Sequence, residues 1–355
     1  MATLPSVVRH DEKLIINLNL TKLISGKEVH MINHLQQSLG ELGPYNSASR
    51  VHRLKTFGDE QALCFVKRDD ELSFGISGSK IRKYLSLIPF LLKNLVKEAV
   101  VIGGVYSNNV LGLSQVLIEN SIQPTLFLLG EKPVKPVGNF LLTSLLVPKE
   151  SIQWISRADW KNVDQLAKDY ADQQQHKTII IPEGACMVEA LPGALTLAVD
   201  IIRNEKQLGL QFDHIFLDAG TGLTAIATLL AFAWLKKPVT LHVVQMADGE
   251  KEFLGNLSQF KNDFEELVEQ KVEELSIKER LKLYTPSTAR SFGSTNRQIF
   301  QEIRRLAQEE GFLTDPIYTA KLFLTARHLV NQHTIKGNCL IVHSGGGLSL
   351  IGFQE

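Results

Sequence analysis

Short apolar strands alternate with helical stretches along most of this chain, and no other feature narrows the fold as far. Residues 99–102, 125–129, 152–155, 178–181, 214–217, 239–244 and 339–343 read as strands, and a further strand falls within 61–69. Three-and-four spacing of apolar residues places helices over 81–95, 109–119, 139–146, 161–173, 195–205, 253–275, 296–308 and 320–330. Pro89 is expected to kink or interrupt the first of these. Apolar strands separated by helices argue for mostly parallel sheets covered on both faces. At 355 residues the chain has room for two such units, each with its own core. Over the first 50 residues we expect a strand at 14–18 and a short helix at 31–42, and assign neither a function.

Charge and composition remove several function classes. Lys+Arg and Asp+Glu both total 38, so no basic excess points to nucleic acid or an anionic membrane. Cys64, Cys186 and Cys339 lie far apart in sequence, with no metal-ligand or disulfide spacing, which suits a reducing compartment. The first residues lack the basic-then-apolar pattern of a signal peptide. The most apolar run, 224–235, is stopped by Lys236 and Lys237 before it reaches the length of a membrane span. We expect a soluble, cytoplasmic protein with neither nucleic acid nor membrane as partner.

One stretch then stands out: Gly75-Ile76-Ser77-Gly78-Ser79-Lys80-Ile81-Arg82-Lys83. A Gly/Ser-rich segment runs into a helix, with Lys80 at the junction. Helix N-termini carry partial positive charge, so a cation there is mildly disfavoured. A lysine in that place suits a low-pKa amine that forms a Schiff base, although a solvated surface lysine fits the pattern too.

Ligands of parallel α/β sheets bind beyond the carboxyl ends of strands. Four strands here end in small polar residues, at 103–109, 182–184, 220–224 and 344–347, and each of these is also a plain turn. Gly220-Thr221-Gly222-Leu223-Thr224 opens a helix with two glycines and two hydroxyls, which lets N–H and O–H groups converge on an anion such as a phosphate monoester. It matches neither the P-loop nor the dinucleotide fingerprint, and a structural turn remains open. Ser107, Asn108 and Asn109 set a hydroxyl and two carboxamides at another helix start, for a carboxylate, a phenolic oxygen or a simple N-cap. Tyr318 opens a helix as a proton donor or a packed aromatic. Ser344 offers a hydroxyl at the last strand end. A Schiff-base lysine, a phosphate cradle, a carboxylate pocket and a lone hydroxyl together make the inventory that pyridoxal 5'-phosphate requires.

The order of these motifs resembles that of the D-cysteine desulfhydrase and 1-aminocyclopropane-1-carboxylate deaminase family of pyridoxal-phosphate enzymes. The resemblance is carried by Lys67-Arg68-Asp69-Asp70, Gly78-Ser79-Lys80-Ile81-Arg82-Lys83, Gly103-Gly104-Val105-Tyr106-Ser107-Asn108, Gly138-Asn139-Phe140-Leu141-Leu142, Ile181-Pro182-Glu183-Gly184, Asp315-Pro316-Ile317-Tyr318-Thr319-Ala320-Lys321 and His343-Ser344-Gly345-Gly346. It runs from about residue 45 to the C-terminus.

That resemblance implies a tryptophan synthase β-subunit-like fold (fold type II), with two α/β domains and the cofactor between them. The larger, cofactor-binding domain would be 1–83 plus 185–355 and the smaller 84–184, in a homodimer. It implies that Lys80 forms the Schiff base and that Gly220, Thr221, Gly222, Leu223 and Thr224 hold the phosphate. Asn108 would meet the phenolic oxygen and Ser107 the substrate carboxylate, and Tyr318 would sit beside the substrate as an acid/base or leaving-group contact. Ser344 would face the pyridine nitrogen, and a neutral hydroxyl there leaves that nitrogen mostly unprotonated. The activity implied is α,β-elimination from a small amino acid, with D-cysteine giving pyruvate, sulfide and ammonia. Cyclopropane ring opening and a non-catalytic cofactor-binding homologue are the alternatives. Thr319 is the desulfhydrase-like residue where the cyclopropane deaminases carry Glu. Phe292 stands where the family has a tyrosine that contacts substrate, Ala185-Cys186-Met187 where it has Gly-Ser-Asn, and Asn109 where it has His or Gln.

Overall fold

The computed structural model describes residues 26–247 and 249–353; the strand expected at 14–18 lies outside them. In chain order the elements are α1 (Gly26–Ser38), β1 (Val51–Gly58), β2 (Ala62–Lys67), α2 (Lys80–Lys93), β3 (Glu98–Gly104), α3 (Asn108–Glu119), β4 (Gln123–Leu129), α4 (Gly138–Leu146), β5 (Ile152–Ile155), α5 (Val163–Asp172), β6 (Thr178–Ile181), α6 (Leu191–Leu208), β7 (His214–Ala219), α7 (Leu223–Trp234), β8 (Thr240–Gln245), α8 (Glu250–Leu267), α9 (Glu274–Arg280), β9 (Leu281–Tyr284), α10 (Arg297–Glu310), α11 (Thr319–Asn331) and β10 (Gly337–Val342). They build a six-stranded sheet in the order β1-β2-β10-β7-β8-β9 and a four-stranded sheet in the order β5-β4-β3-β6. Every pairing is parallel except that of β1 with β2. The parallel arrangement follows from strands such as β3, whose first six residues are all buried. Among the described residues no helix is long and apolar enough to cross a membrane.

Pro89 and the stretch 253–275 depart from the sequence reading. Pro89 neither breaks nor interrupts α2, which runs on to Lys93. Proline has no N–H to give the carbonyl one turn back, and here the N–H of Gly43 supplies it, donating to Leu85 O at 2.7 Å. The single helix expected at 253–275 is two, α8 and α9. Glu265 folds the chain back between them by accepting the Val272 N–H (2.9 Å) and the Lys271 ammonium (2.7 Å). Cys64 and Cys339, distant in sequence, are register partners on β2 and β10 with both thiols free.

The helix α2 lies between the two cores. Ile81, Tyr84, Leu87, Ile88 and Leu91 pack with β3, α3 and β4 of the smaller sheet. Its Arg82 faces the other way, into a cluster of buried charge. The guanidinium grips Asp69 with two bonds (2.6 and 2.7 Å) and reaches Asp200 of α6 at 2.9 Å. Lys67, the last residue of β2, binds the same Asp200 (2.5 Å) and Asn204 (2.6 Å). Ser49 ties the segment before β1 to both acids, through Oγ to Asp69 (2.6 Å) and N–H to Asp200 (3.0 Å). Burial works against charge on Asp69, yet the Arg82 guanidinium more than offsets it and holds that carboxyl below its usual range. Burial is the main influence on Lys67 and lowers its pKa to about 8.

Breaking such a pair from one side strands the other charge in the interior, at about 3–5 kcal/mol. Asp69→Ala is therefore expected to lower unfolding free energy by that amount in urea titrations. Glu71→Ala, which opens the exposed pair with Arg50, should lower it by less than about 1 kcal/mol. Equal effects from the two substitutions would contradict the assignment of the stabilising role to the buried cluster.

Candidate active site

The parallel strands of each sheet point their carboxyl ends at one edge, and the residues singled out from sequence gather there. Lys80 is the first residue of α2, in a turn docked on the end of β10: the Ser79 N–H donates to Ser344 O at 2.9 Å. Gly78 has φ +53°, and a Cβ on it would collide with that carbonyl, so the turn tolerates no side chain there. The Lys80 Nζ lies 5.6 Å from the centre of the Tyr318 ring. Burial lowers the pKa of Lys80, and the Asp218 and Asp315 carboxylates only partly restore it.

Tyr318 immediately precedes α11. Asp315 shapes this entry, its Oδ2 accepting the N–H groups of Ile317 and Tyr318 and its Oδ1 that of Thr319, at 2.8–2.9 Å. Thr319 turns inward, fully buried, and its Oγ1 donates to Asp315 Oδ1 at 2.7 Å. The Tyr318 hydroxyl reaches the phosphate-loop candidate, 3.4 Å from where Gly220 would carry a Cβ. Phe292 stacks edge-on against the Tyr318 ring at 6.0 Å and is 61% exposed. Lys321 anchors the loop that carries Phe292 by donating to Ala289 O at 2.7 Å.

At the start of α7, Gly222 takes φ +88° with the Phe253 ring against it, and no side chain caps the helix. Its first N–H groups are thus turned to whatever lies ahead of the helix. On the smaller sheet, Ser107 is an N-cap, its Oγ accepting the N–H groups of Asn109 (3.1 Å) and Val110 (3.3 Å). Asn108 is oriented by Asn139, which donates to its Oδ1 at 2.6 Å, and its Nδ2 points at Gly346 beyond β10. Asn109 faces inward, accepts from Tyr84 Oη at 3.0 Å, and keeps a buried Nδ2 without a partner. Shared neighbours thus join Lys80, Tyr318, Gly220, Asn108 and Ser344; Ser107 is linked to them as the residue before Asn108.

Two further ionisable groups belong to this cluster. Lys83, one turn past Lys80 on the same face, donates to Gly184 O at 2.7 Å. Gly184 abuts Thr221 of the glycine loop, and burial lowers the Lys83 pKa to about 8. The spacing from Lys80 was the sequence signal for it. Asp218 is the carboxylate near the end of β7; burial raises its pKa, opposed by Lys80 and by a hydrogen bond from Ser344. An acid in an otherwise apolar strand end was its signal. A surface recess of about 630 Å³, lined by residues including Lys132, Phe140, Lys149 and Trp154, shares no residue with this cluster.

A family model described as "Pyridoxal-phosphate dependent enzyme" matches residues 46–345. A Pyrococcus furiosus protein provisionally named 1-aminocyclopropane-1-carboxylate deaminase is 26% identical over 292 residues, covering 79% of this chain and 84% of that one. A protein of Oryza sativa subsp. japonica provisionally named D-cysteine desulfhydrase 2, mitochondrial, is 25% identical over 328 residues, covering 82% and 79%. A solved structure described as an ACC deaminase homologue superposes with a TM-score of 0.78 at 23% identity, over 91% of this chain and 96% of that one.

Proposed function

Because the chain belongs to the pyridoxal-phosphate dependent enzyme family, we propose that it deaminates a small amino acid by α,β-elimination, with D-cysteine as substrate. The fold is that of the fold type II members, with mostly parallel sheets in two α/β arrangements. The observation that carries the desulfhydrase reading is Thr319: the side chain after Tyr318 is buried against Asp315, so no carboxylate enters the site from that position.

The residues present fit the cofactor. An uncapped helix start at Gly222 suits a phosphate, and the Lys83 ammonium, bonded to the carbonyl of Gly184 next to Thr221, adds a cation on the flank of the loop. The Asn108 carboxamide, fixed by Asn139, offers Nδ2 as a donor, and the buried Asn109 Nδ2 awaits an acceptor. When bound, pyridoxal phosphate supplies the electron sink for charge developing at the substrate Cα. Lys80 would hold the cofactor and, as a free amine, would accept the Cα proton at Nζ; its lowered pKa favours the free amine this needs. Ser107 and the start of α3 receive the carboxylate. Tyr318, between Lys80 and Phe292, meets the departing sulfur. D-cysteine and water thereby give pyruvate, ammonia and hydrogen sulfide.

Two outcomes are expected. Lys83 loses its charge above about pH 8 in the free enzyme, and a bound phosphate raises that pKa. Cofactor binding therefore takes up a proton above pH 8, and affinity falls as pH climbs from there. In Lys83→Met, fluorescence titration of the apoenzyme should show binding about tenfold weaker at pH 7 and no Lys83-linked fall above pH 8; wild-type behaviour in the variant would contradict the role. A panel of D- and L-cysteine, β-chloroalanine, D-serine and 1-aminocyclopropane-1-carboxylate, scored for keto acid and sulfide, should give equal pyruvate and sulfide from D-cysteine, reduced ~10³-fold or more in Lys80→Ala. Keto acid from the cyclopropane substrate alone, or from none of the five, would overturn the reading.

A further inference from the structure

Lys321 is the third residue of α11, with 1% of its surface exposed. The helix dipole disfavours a cation so close to an N-terminus, and burial adds a further cost unless the ammonium is hydrogen-bonded. The nearby Asp315 carboxylate is engaged at both oxygens by the N–H groups of Ile317, Tyr318 and Thr319 and by the Thr319 hydroxyl. The bonds of Lys321 go to two backbone carbonyls of the segment between β9 and α10, Ala289 O at 2.7 Å and Ser291 O at 3.4 Å.

That segment contains a tight turn. Ser291 O also accepts the N–H of Ser294 at 3.1 Å and its hydroxyl at 2.6 Å, which closes a turn from Ser291 to Ser294 with Phe292 at its corner and Gly293 at φ +75°. At the base of the turn Ala289 packs against Ile299 and Ile303 of α10 and Ala320 of α11. Ala289 takes φ +49°, a left-handed conformation that a residue with a Cβ keeps only when its surroundings impose it. Residues 290–293 are exposed. The turn buries little of itself, so the buried lysine fixes where the turn sits more than it strengthens the core.

Phe292 is what the turn places. Its ring meets that of Tyr318 edge-on, with centres 6.0 Å apart and planes at 70°, and the Lys80 Nζ lies 5.6 Å from the centre of the same Tyr318 ring. Asp315 fixes the Tyr318 backbone, but a tyrosine ring still turns about two side-chain bonds. Phe292 restricts that freedom. Lys321, the turn, Phe292 and Tyr318 thus form one contiguous path that leaves α11 and returns to the residue before it.

We propose that Lys321 and Phe292 are positioning residues for Tyr318: Lys321 fixes the Ser291–Ser294 turn, and Phe292 at its corner holds the phenol where its hydroxyl meets the leaving group. The proposal rests on the elimination reading above, in which Tyr318 meets the departing sulfur. As the Cβ–S bond breaks, sulfur keeps the bonding pair, the Tyr318 hydroxyl gives it the proton that completes hydrogen sulfide, and a proton from solvent restores the phenol. Chloride leaves with its electron pair and needs no proton, so the placing of the phenol matters less to it.

The test uses full-length holoenzyme labelled with 3-fluorotyrosine and read by ¹⁹F NMR without substrate; Tyr318→Phe identifies Tyr318 among the six tyrosine resonances. Lys321→Met leaves both aromatic rings in the chain and should move the Tyr318 resonance. In Lys321→Met and in Phe292→Ala alike, the turnover of D-cysteine relative to β-chloro-D-alanine should fall about tenfold or more. A purely structural role would slow both substrates equally, and an unchanged ratio overturns the proposal, as does a Tyr318 resonance that Lys321→Met leaves in place. Phe292 is exposed, so Phe292→Ala decides through the ratio even if Lys321→Met fails to fold. If the wild-type enzyme releases keto acid from neither substrate, the elimination reading falls, and the resonance still decides whether Lys321 positions Tyr318.

Discussion

The Arg82 guanidinium, clamped between Asp69 and Asp200 with no exposed surface, is the contact on which the geometry around Lys80 depends. Arg82 stands two residues into α2, so its clamp fixes where that helix begins and which way its first turn faces. The same acids hold Lys67 at the end of β2 and Ser49 ahead of β1. Two cations and two anions are thus taken out of water together. The pairing and hydrogen bonds compensate most of the desolvation, and removal of any one member leaves an uncompensated charge. An apolar core of equal volume would be as stable but would not dictate a single orientation for the turn carrying Lys80.

Around that fixed point the two sheets contribute different chemistry. The six-stranded sheet brings acid, hydroxyl and an uncapped helix start: Asp218 near the end of β7, the glycine loop after β7, and Ser344 after β10. The four-stranded sheet brings the N-cap serine and the carboxamides at the start of α3. Lys80 belongs to the helix between them, whose apolar face is buried in the smaller core. Parallel strands make this convergence unavoidable, because every loop that follows a strand leaves by the same edge.

How much of this was legible in the sequence depended on whether the cause was local. Strands buried on both faces are continuous apolar runs, so the inner strands were readable. β1 and β9 were missed because they are edge strands with mixed patterns: β1 alternates exposed charge with only two buried residues, and β9 has four residues and none fully buried. Nothing near Pro89 in sequence shows that the helix runs through it, because the donor that replaces its missing N–H comes from Gly43, far away in sequence. The glycine loop, Lys80 and Ser344 were legible because each must sit at a strand or helix end whatever surrounds it. Asp218, Lys83 and the inward turn of Thr319 depend on neighbours from other elements.

The central claim is that one lysine, held by the buried charge cluster at the start of α2, carries the cofactor. Borohydride reduction of the purified protein followed by peptide mass mapping tests it most directly, because reduction makes the lysine–cofactor bond permanent. The account expects a single phosphopyridoxyl group, on Lys80. A label on Lys83, which lies one turn away with its own lowered pKa, or on any other lysine, would contradict it.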